Sequence, residues 1–173
     1  MSQPSLNRRH FLAALGAATI ALPARAATPP DWKPFFPNIS RGGIHVSTAA
    51  REVTWWSPGG QFARVMPTAV PRSEDLTRRG RTEIVRKRAR PDWTPTPDML
   101  RRNPDLKPTP GGAPDNPLGS HALYFDWTYY AIHGTNDPSS VGTAASSGCF
   151  RLRADDITFL FFTVPVGTPV LVS

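Results

Sequence analysis

The chain has 173 residues, enough for one domain or for one domain with a tail. Its 20 prolines and 13 glycines exclude a helical bundle and favour short strands joined by long ordered loops. The net charge is +7; outside residues 1–26, 17 basic and 13 acidic residues leave +4, which favours an anionic partner such as nucleic acid or the cell wall. The basic residues from Arg78 to Arg90 are interrupted at positions 83–85 and indicate one solvated strand face, so we expect no nucleic-acid partner.

The N-terminus has the pattern of an export signal. Arg8 and Arg9 precede an apolar run over residues 13–22, and Ala24-Arg25-Ala26 supplies small residues at the two positions that a signal peptidase reads. The pattern predicts a twin-arginine signal peptide over residues 1–26 and export to the periplasm or cell envelope. The apolar run is shorter than the ~20 residues of a spanning helix. We therefore expect no stable membrane anchor after cleavage, with an uncleaved anchor as the alternative.

Residues 27–42 are rich in proline and predict an extended, loosely docked linker before a single domain at 43–173. Hydrophobic patterning in this domain predicts strands at 43–47, 52–57, 62–70, 81–88, 122–126, 129–133 and 168–172. Trp55 and Trp56 are adjacent and so face opposite sides of their strand, where core packing is the favoured role.

Two further segments complete the prediction of a mainly β fold. Residues 155–162 predict one short helix near the C-terminus, with two aspartates suited to its N-terminal dipole. The segment from Pro91 to Gly119 predicts a long proline-rich loop with one helical turn near 98–102. Such a loop either walls a substrate groove or is only a surface loop.

Cys149 is the only cysteine, which excludes an intramolecular disulfide. A free thiol in an exported chain is exposed to oxidation, so we expect it to have a function. Ser146, Ser147 and Gly148 precede it, and these small residues let backbone N–H groups approach a ligand. Arg151 and the start of the following helix are expected to favour the reactive thiolate.

His133 ends a strong strand and is followed by Gly134. It lies sixteen residues before Cys149, so the chain can return and place the imidazole beside the thiol as its base. The Gly134 carbonyl could orient the ring. From these features alone, an inert buried thiol and a structural histidine are equally compatible. No close ligand spacing supports zinc, and we expect no metal site.

The motifs Ile132-His133-Gly134-Thr135 and Ser146-x-Gly148-Cys149-Phe150-Arg151-Leu152 together resemble the signature of the L,D-transpeptidase catalytic domain, also called the YkuD domain. Residues 93–95, 116–119 and 164–170 are similar to this family as well, and the resemblance is strong over 81–173. It implies an L,D-transpeptidase-like β-sandwich or barrel with one short helix near the C-terminus and a long proline-rich loop.

The resemblance also implies the roles of the site residues. Cys149 would be the nucleophile and His133 the proton donor and acceptor. The N–H groups of Ser147, Gly148 and Cys149 would form the oxyanion hole, while Ser146 and Arg151 would shape the loop or contact substrate. The implied partners are peptidoglycan stem peptides, joined by 3→3 crosslinks through a cysteine thioester in cell wall biogenesis. Carbapenems would be inhibitors, and no cofactor is implied.

Two segments depart from the family pattern. Ser147 stands where the family often has histidine, and residues 65–80 match its usual glycine-rich pattern poorly. The alternatives are an L,D-carboxypeptidase that uses water as acceptor, attachment of a wall protein through the same site, and a non-catalytic wall-binding module.

Overall fold

The computed structural model describes residues 30–173. The predicted signal peptide and the first residues of the predicted linker lie outside the described part. Within residues 30–173, no helix is both long and apolar enough to cross a membrane.

Residues 30–173 form ten strands and two α-helices. The strands are β1 (Gly43–Ser47), β2 (Glu52–Trp56), β3 (Ala63–Pro67), β4 (Val70–Pro71), β5 (Gly80–Ala89), β6 (His121–Phe125), β7 (Ala131–His133), β8 (Ala144–Ser146), β9 (Phe150–Arg151) and β10 (Pro169–Val172); the helices are α1 (Pro97–Arg102) and α2 (Ala154–Thr163). The predicted strands are present within one or two residues, except that the third is divided into β3 and β4 and that β7 begins only at residue 131; the sequence did not predict β8 or β9.

Eight strands form one sheet in the order β3-β2-β1-β10-β5-β6-β7-β9, while β4 and β8 pair separately. The two ends of the large sheet meet, because Ala69, just after β3, exchanges backbone hydrogen bonds with Arg151 in β9 at 2.9 and 3.2 Å. The sheet is therefore curled, and the predicted mainly β fold is confirmed. This closure also holds the strand that follows Cys149.

A β-bulge in β5 places its arginines outside the core. Ile84 pairs with Phe125 but Arg86 pairs with Tyr124, so Val85 is an extra residue between them. Strict alternation would put Arg86 and Arg88 on the core face with Ile84, which is fully buried. The bulge moves both arginines to the opposite face, and the Arg86 guanidinium stacks 3.8 Å from the centre of the Tyr124 ring.

Helix α2 closes the main core against the curled sheet. Ile157 and Leu160 are fully buried, and Val164 directly after the helix is nearly so. Asp156 in the first turn suits the helix dipole and forms an ion pair with Arg64 at 2.6 Å. The predicted helix is therefore present, one residue longer at each end.

The predicted loose docking of the linker is wrong for residues 30–42. Phe36 and Ile39 are 3% and 4% exposed and form a second core with Trp56, whose indole N–H donates to the Pro30 carbonyl at 2.6 Å. Trp55 faces the main core on the other side of β2. The prediction that this tryptophan pair packs in a core is confirmed. Residues 30–42 dock because burying their aromatic and aliphatic side chains is favourable.

The proline-rich segment is ordered without much regular structure, as predicted. Trp93 and Thr109 exchange two backbone hydrogen bonds of 2.9 Å, which close the loop that carries α1. Asn116 is 1% exposed; its amide donates to the carbonyls of Pro91 and Pro110 at 2.8 and 3.0 Å, and its oxygen accepts from the Leu118 N–H. One buried amide thus joins three points of the segment.

Candidate active site

Two neighbouring strands bring Cys149 and His133 to one face of the sheet. β7 and β9 are parallel, with Ile132 opposite Phe150 and His133 opposite Arg151. Cys149, directly before Phe150, therefore lies beside Ala131. With strands about 4.8 Å apart and a rise of about 3.3 Å per residue, the Cα atoms of Cys149 and His133 are about 8 Å apart on the same face. Both side chains line one cavity.

The imidazole of His133 is held in one orientation and one tautomer. The ring is 4% exposed, and its Nδ1 lies 2.6 Å from the Gly134 carbonyl oxygen. Because a carbonyl only accepts, Nδ1 carries the proton and Nε2 is left as a proton acceptor. Burial lowers the pKa of His133 to about 4. The hydrogen bond to the Gly134 carbonyl acts to raise this pKa, but its effect is smaller. The ring is therefore neutral at physiological pH.

The Cys149 thiol is half-buried and protonated. The Cys149 thiol donates from Sγ to the Tyr129 carbonyl at 3.3 Å. Tyr129 has a φ of 68°, which is rare for a non-glycine residue. Burial raises the pKa of Cys149 to about 11, although the Ala131 N–H and the Arg151 charge both act to lower it. The expectation of a favoured thiolate is wrong for this state, because desolvation outweighs the nearby charge.

The loop before Cys149 is supported on both sides. The Gly148 N–H donates to Ser146 Oγ at 3.3 Å, and the Ser147 hydroxyl accepts from Arg72 at 2.8 Å. Gly148 has a φ of +132°, a conformation that glycine adopts more readily than other residues, and a Cβ there would meet only ordinary contacts. Backbone conformation, more than space, therefore favours glycine beside the thiol.

Arg151 is partly buried at the wall of the site. Its Nη1 donates to Ser140 Oγ at 3.4 Å, and its backbone is held by Ala69 and Thr68. The guanidinium lines the cavity, so it is placed both to support the loop and to face a bound molecule.

The cavity around the thiol has a volume of about 620 Å³. The proline-rich segment forms one wall, so its predicted position beside a groove agrees with the structure. Sequence reasoning missed Arg86, Arg88 and Tyr124, which also line the cavity. The two arginines were missed because simple alternation does not reveal the β5 bulge that turns them toward the cavity. The wall formed by the proline-rich segment comprises Pro91, Asp92, Trp93, Thr94, Thr96, Asp98, Met99, Leu106, Pro117 and Leu118.

Residues 30–173 contain no group of three His, Cys, Asp or Glu side chains that could hold a metal ion. The cavity holds a thiol and a neutral, oriented imidazole among its lining groups. Such a pair can pass a proton while sulfur attacks an acyl carbon. The fold and the site thus define a β protein with the groups needed for cysteine-based acyl transfer.

Comparison with known proteins identifies the family. Residues 41–172 match the model of the YkuD L,D-transpeptidase catalytic domain. A Fuscovulum blasticum protein named as an L,D-transpeptidase in the ATP synthase subunits region is 46% identical over 141 residues, covering 82% of this chain and 74% of its own length. The chain therefore belongs to the L,D-transpeptidase catalytic-domain family.

Other relatives differ in size or in sequence. ErfK/SrfK of Escherichia coli K12, named for the same activity, is 39% identical over 78% of this chain, which spans only 44% of that relative. The structure of L,D-transpeptidase LdtMt1 in complex with imipenem has a TM-score of 0.59 at 19% identity and covers 77% of this chain and 59% of its own. That likeness supports the fold.

Proposed function

We propose that this protein is an exported L,D-transpeptidase that forms 3→3 crosslinks between peptidoglycan stem peptides through a thioester on Cys149. The observation that carries the proposal is the cavity shared by Cys149 and His133, in which the Gly134 carbonyl fixes the imidazole tautomer. Family membership over residues 41–172 supports the same reaction class.

In the first half-reaction, the donor stem presents the peptide bond after its third residue to the thiol. His133 Nε2 takes the Cys149 proton as Sγ bonds to the carbonyl carbon, and the oxygen becomes an oxyanion. The Ser147 and Cys149 N–H groups would donate to this oxygen, and the Gly148 N–H, which donates to Ser146 Oγ in the free protein, would have to leave that bond to join them. The C–N bond then breaks, the imidazolium returns its proton to the amine, and D-alanine leaves a thioester behind.

In the second half-reaction, the amine of another stem attacks the thioester carbon. His133 accepts a proton from that amine and returns it to sulfur as the C–S bond breaks, so the new amide forms and the thiol is restored. Water in place of the amine would make the protein an L,D-carboxypeptidase, and a protein lysine would give wall-protein attachment. The acceptor meets the same acyl-enzyme in all three cases.

The protonation of the site suits coupled transfer. With the pKa of Cys149 at about 11 and that of His133 at about 4, the resting pair is neutral thiol and neutral imidazole. The proton therefore moves as substrate is attacked, when the developing charge is shared with the oxyanion-binding N–H groups. Substrate that excludes water from the cavity strengthens those interactions.

Purified mature protein incubated with disaccharide tetrapeptides should release D-alanine and form crosslinked dimers in equal amounts. Cys149→Ala should abolish both products, because no other cysteine can replace the nucleophile. Trimmed monomers without dimers would favour the carboxypeptidase. Wild-type product levels from Cys149→Ala would exclude the proposed mechanism.

A carbapenem gives a separate test of the nucleophile, and the imipenem complex of LdtMt1 supports the choice of compound. Intact mass spectrometry should show one imipenem adduct on the wild-type protein and none on Cys149→Ala. A wild-type protein that stays unmodified would favour the non-catalytic wall-binding module.

A further inference from the structure

A second cavity of about 240 Å³ opens beside the loop that carries the thiol. Three residues, Met99, Leu106 and Ser147, line both this cavity and the main one, so the two are neighbours with a shared wall. The remaining lining residues are Arg72, Arg102 and Asn103. The second cavity therefore lies against Ser147, two residues before the thiol, and is lined by two arginines and an amide.

The backbone places Arg72 beside Ser147. β4 and β8 are parallel, with Pro71 opposite Ser146, so Arg72 and Ser147 follow directly from two paired strand ends. The Arg72 N–H donates to the Ser146 carbonyl at 3.0 Å, and its Nη1 donates to Ser147 Oγ at 2.8 Å. A guanidinium has five N–H donors, so this contact leaves others available. Among residues 30–173, Arg72 is in no ion pair.

Arg102 enters the cavity from α1 with its charge only partly compensated. It pairs with Asp98, and the same carboxylate is shared with Arg101 at 2.7 Å. Asp75 is the other acid nearby; after a hydrogen bond from Ser73, the charges of Arg102 and Arg72 help to lower its pKa. Arg72 and Arg102 line this cavity whereas Asp98 and Asp75 do not, so its lining favours an anion.

We propose that Arg72 and Arg102 form a subsite that binds a carboxylate of the stem peptide and so selects the substrate. The inference rests on the proposed function for its ligand, and on the shared wall at Ser147 for its position. Guanidinium groups bind carboxylates through paired, charge-assisted hydrogen bonds, which lysine cannot reproduce. Met99 and Leu106 add apolar surface to the same cavity.

The carboxylate has two sources in a tetrapeptide stem: the C-terminal D-alanine, and the side chain of a third residue that carries one. The two sources predict different outcomes. A C-terminal carboxylate would leave the subsite with the departing D-alanine, whereas a third-residue carboxylate would remain bound in the thioester and keep the acyl group in register for the acceptor.

The test measures binding of three tetrapeptides by titration calorimetry in the Cys149→Ala background, where no turnover occurs. The peptides carry both free carboxylates, a C-terminal carboxamide, or a side-chain carboxamide at the third residue. We expect Arg72→Gln and Arg102→Gln each to weaken the free acid about tenfold, the range of one charge-assisted contact. One of the two carboxamides should bind the unsubstituted protein about tenfold less tightly and lose its sensitivity to both substitutions. That peptide identifies the source.

Arg101→Gln is the matched control, because Arg101 shares Asp98 but lines neither cavity. It should leave all three affinities unchanged. Equal weakening of every peptide by Arg72→Gln, or no weakening of any, would overturn the subsite, as would the absence of measurable peptide binding. The carboxamide comparison in the unsubstituted protein keeps the test valid if an arginine variant misfolds.

Failure of the proposed function gives a different result. If the protein with Cys149 intact releases no D-alanine but the binding pattern is as expected, the transpeptidase proposal fails and the carboxylate subsite stands. If D-alanine is released and the arginine variants match the wild-type KM for all peptides, the reaction stands and the subsite fails.

Discussion

At the scale of single residues, burial decides the resting state of the site. Desolvation penalises the charged form of each group, so it raises the pKa of the Cys149 thiol and lowers the pKa of the His133 imidazole. The Arg151 charge acts to lower the pKa of both groups, but for Cys149 the effect of burial is larger and the pKa is raised. The sequence predicted the two residues and the local charge, but the extent of burial depends on the cavity walls and could not be predicted from neighbours in the chain.

The neutral pair predicts how the thiol responds to pH. A thiol with a pKa of about 11 is protonated at neutral pH, so alkylation by iodoacetamide should accelerate about tenfold for each pH unit between pH 6 and 10. The rate is measured by mass spectrometry on the single cysteine. The same protein unfolded in guanidinium chloride provides the reference and should level off near pH 9. A rate that reaches a plateau below pH 8 in the folded protein would show a preformed ion pair instead.

At the scale of elements, alternation and turn residues predicted most strands and helix α2 because those segments bury one face in a single core. Alternation gave the wrong prediction where a local irregularity turns a side chain to the other face of the sheet. The bulge at Val85 turns Arg86 toward the cavity. Tyr129, in the turn between β6 and β7, has a positive φ, and its carbonyl accepts from the Cys149 thiol. The candidate pair could be found from the motifs, whereas the arginine-lined walls depend on pairings between distant segments.

The proline-rich segment depends on Asn116 for its order, and this yields a test of the cavity wall. Asn116→Ala leaves the Pro91 and Pro110 carbonyls without their donor in a buried position, which should destabilise the protein by about 1–3 kcal/mol. The loss is read from urea denaturation. Imipenem acylation should slow as well, because the segment lines the cavity.

Asn136→Ala is the control for this substitution. Its amide also donates to a backbone carbonyl, that of Asp115 at 2.9 Å, but at an exposed position where water replaces the bond. We expect a change below about 0.5 kcal/mol for a surface substitution of this kind. If Asn116→Ala and Asn136→Ala lower the free energy of unfolding equally, the buried Asn116 amide does not organise the segment.

At the scale of the whole molecule, the curled sheet has two cores. The main core lies beneath α2 and supports β7 and β9, which carry the site. The second core joins residues 30–42 to the opposite face through Trp56 and Phe36. Proline content predicted an extended, loosely docked linker, but the aromatic residues between the prolines make residues 30–42 part of the folded unit. A domain boundary at residue 43 would therefore remove Phe36 and Ile39, two of the three buried residues of this second core.

This second core predicts a contrast between two phenylalanines. Phe36→Ala removes a ring that is 3% exposed and packed against Trp56, and it should destabilise the protein by about 3 kcal/mol, the lower end for a buried phenylalanine. Phe62→Ala removes a ring that is 68% exposed and should change stability by less than about 0.5 kcal/mol. Urea denaturation followed by tryptophan fluorescence measures both, and β1 should loosen in Phe36→Ala because Gly43 packs against the Phe36 ring. If the two variants unfold at the same urea concentration, residues 30–42 are not part of the cooperative fold.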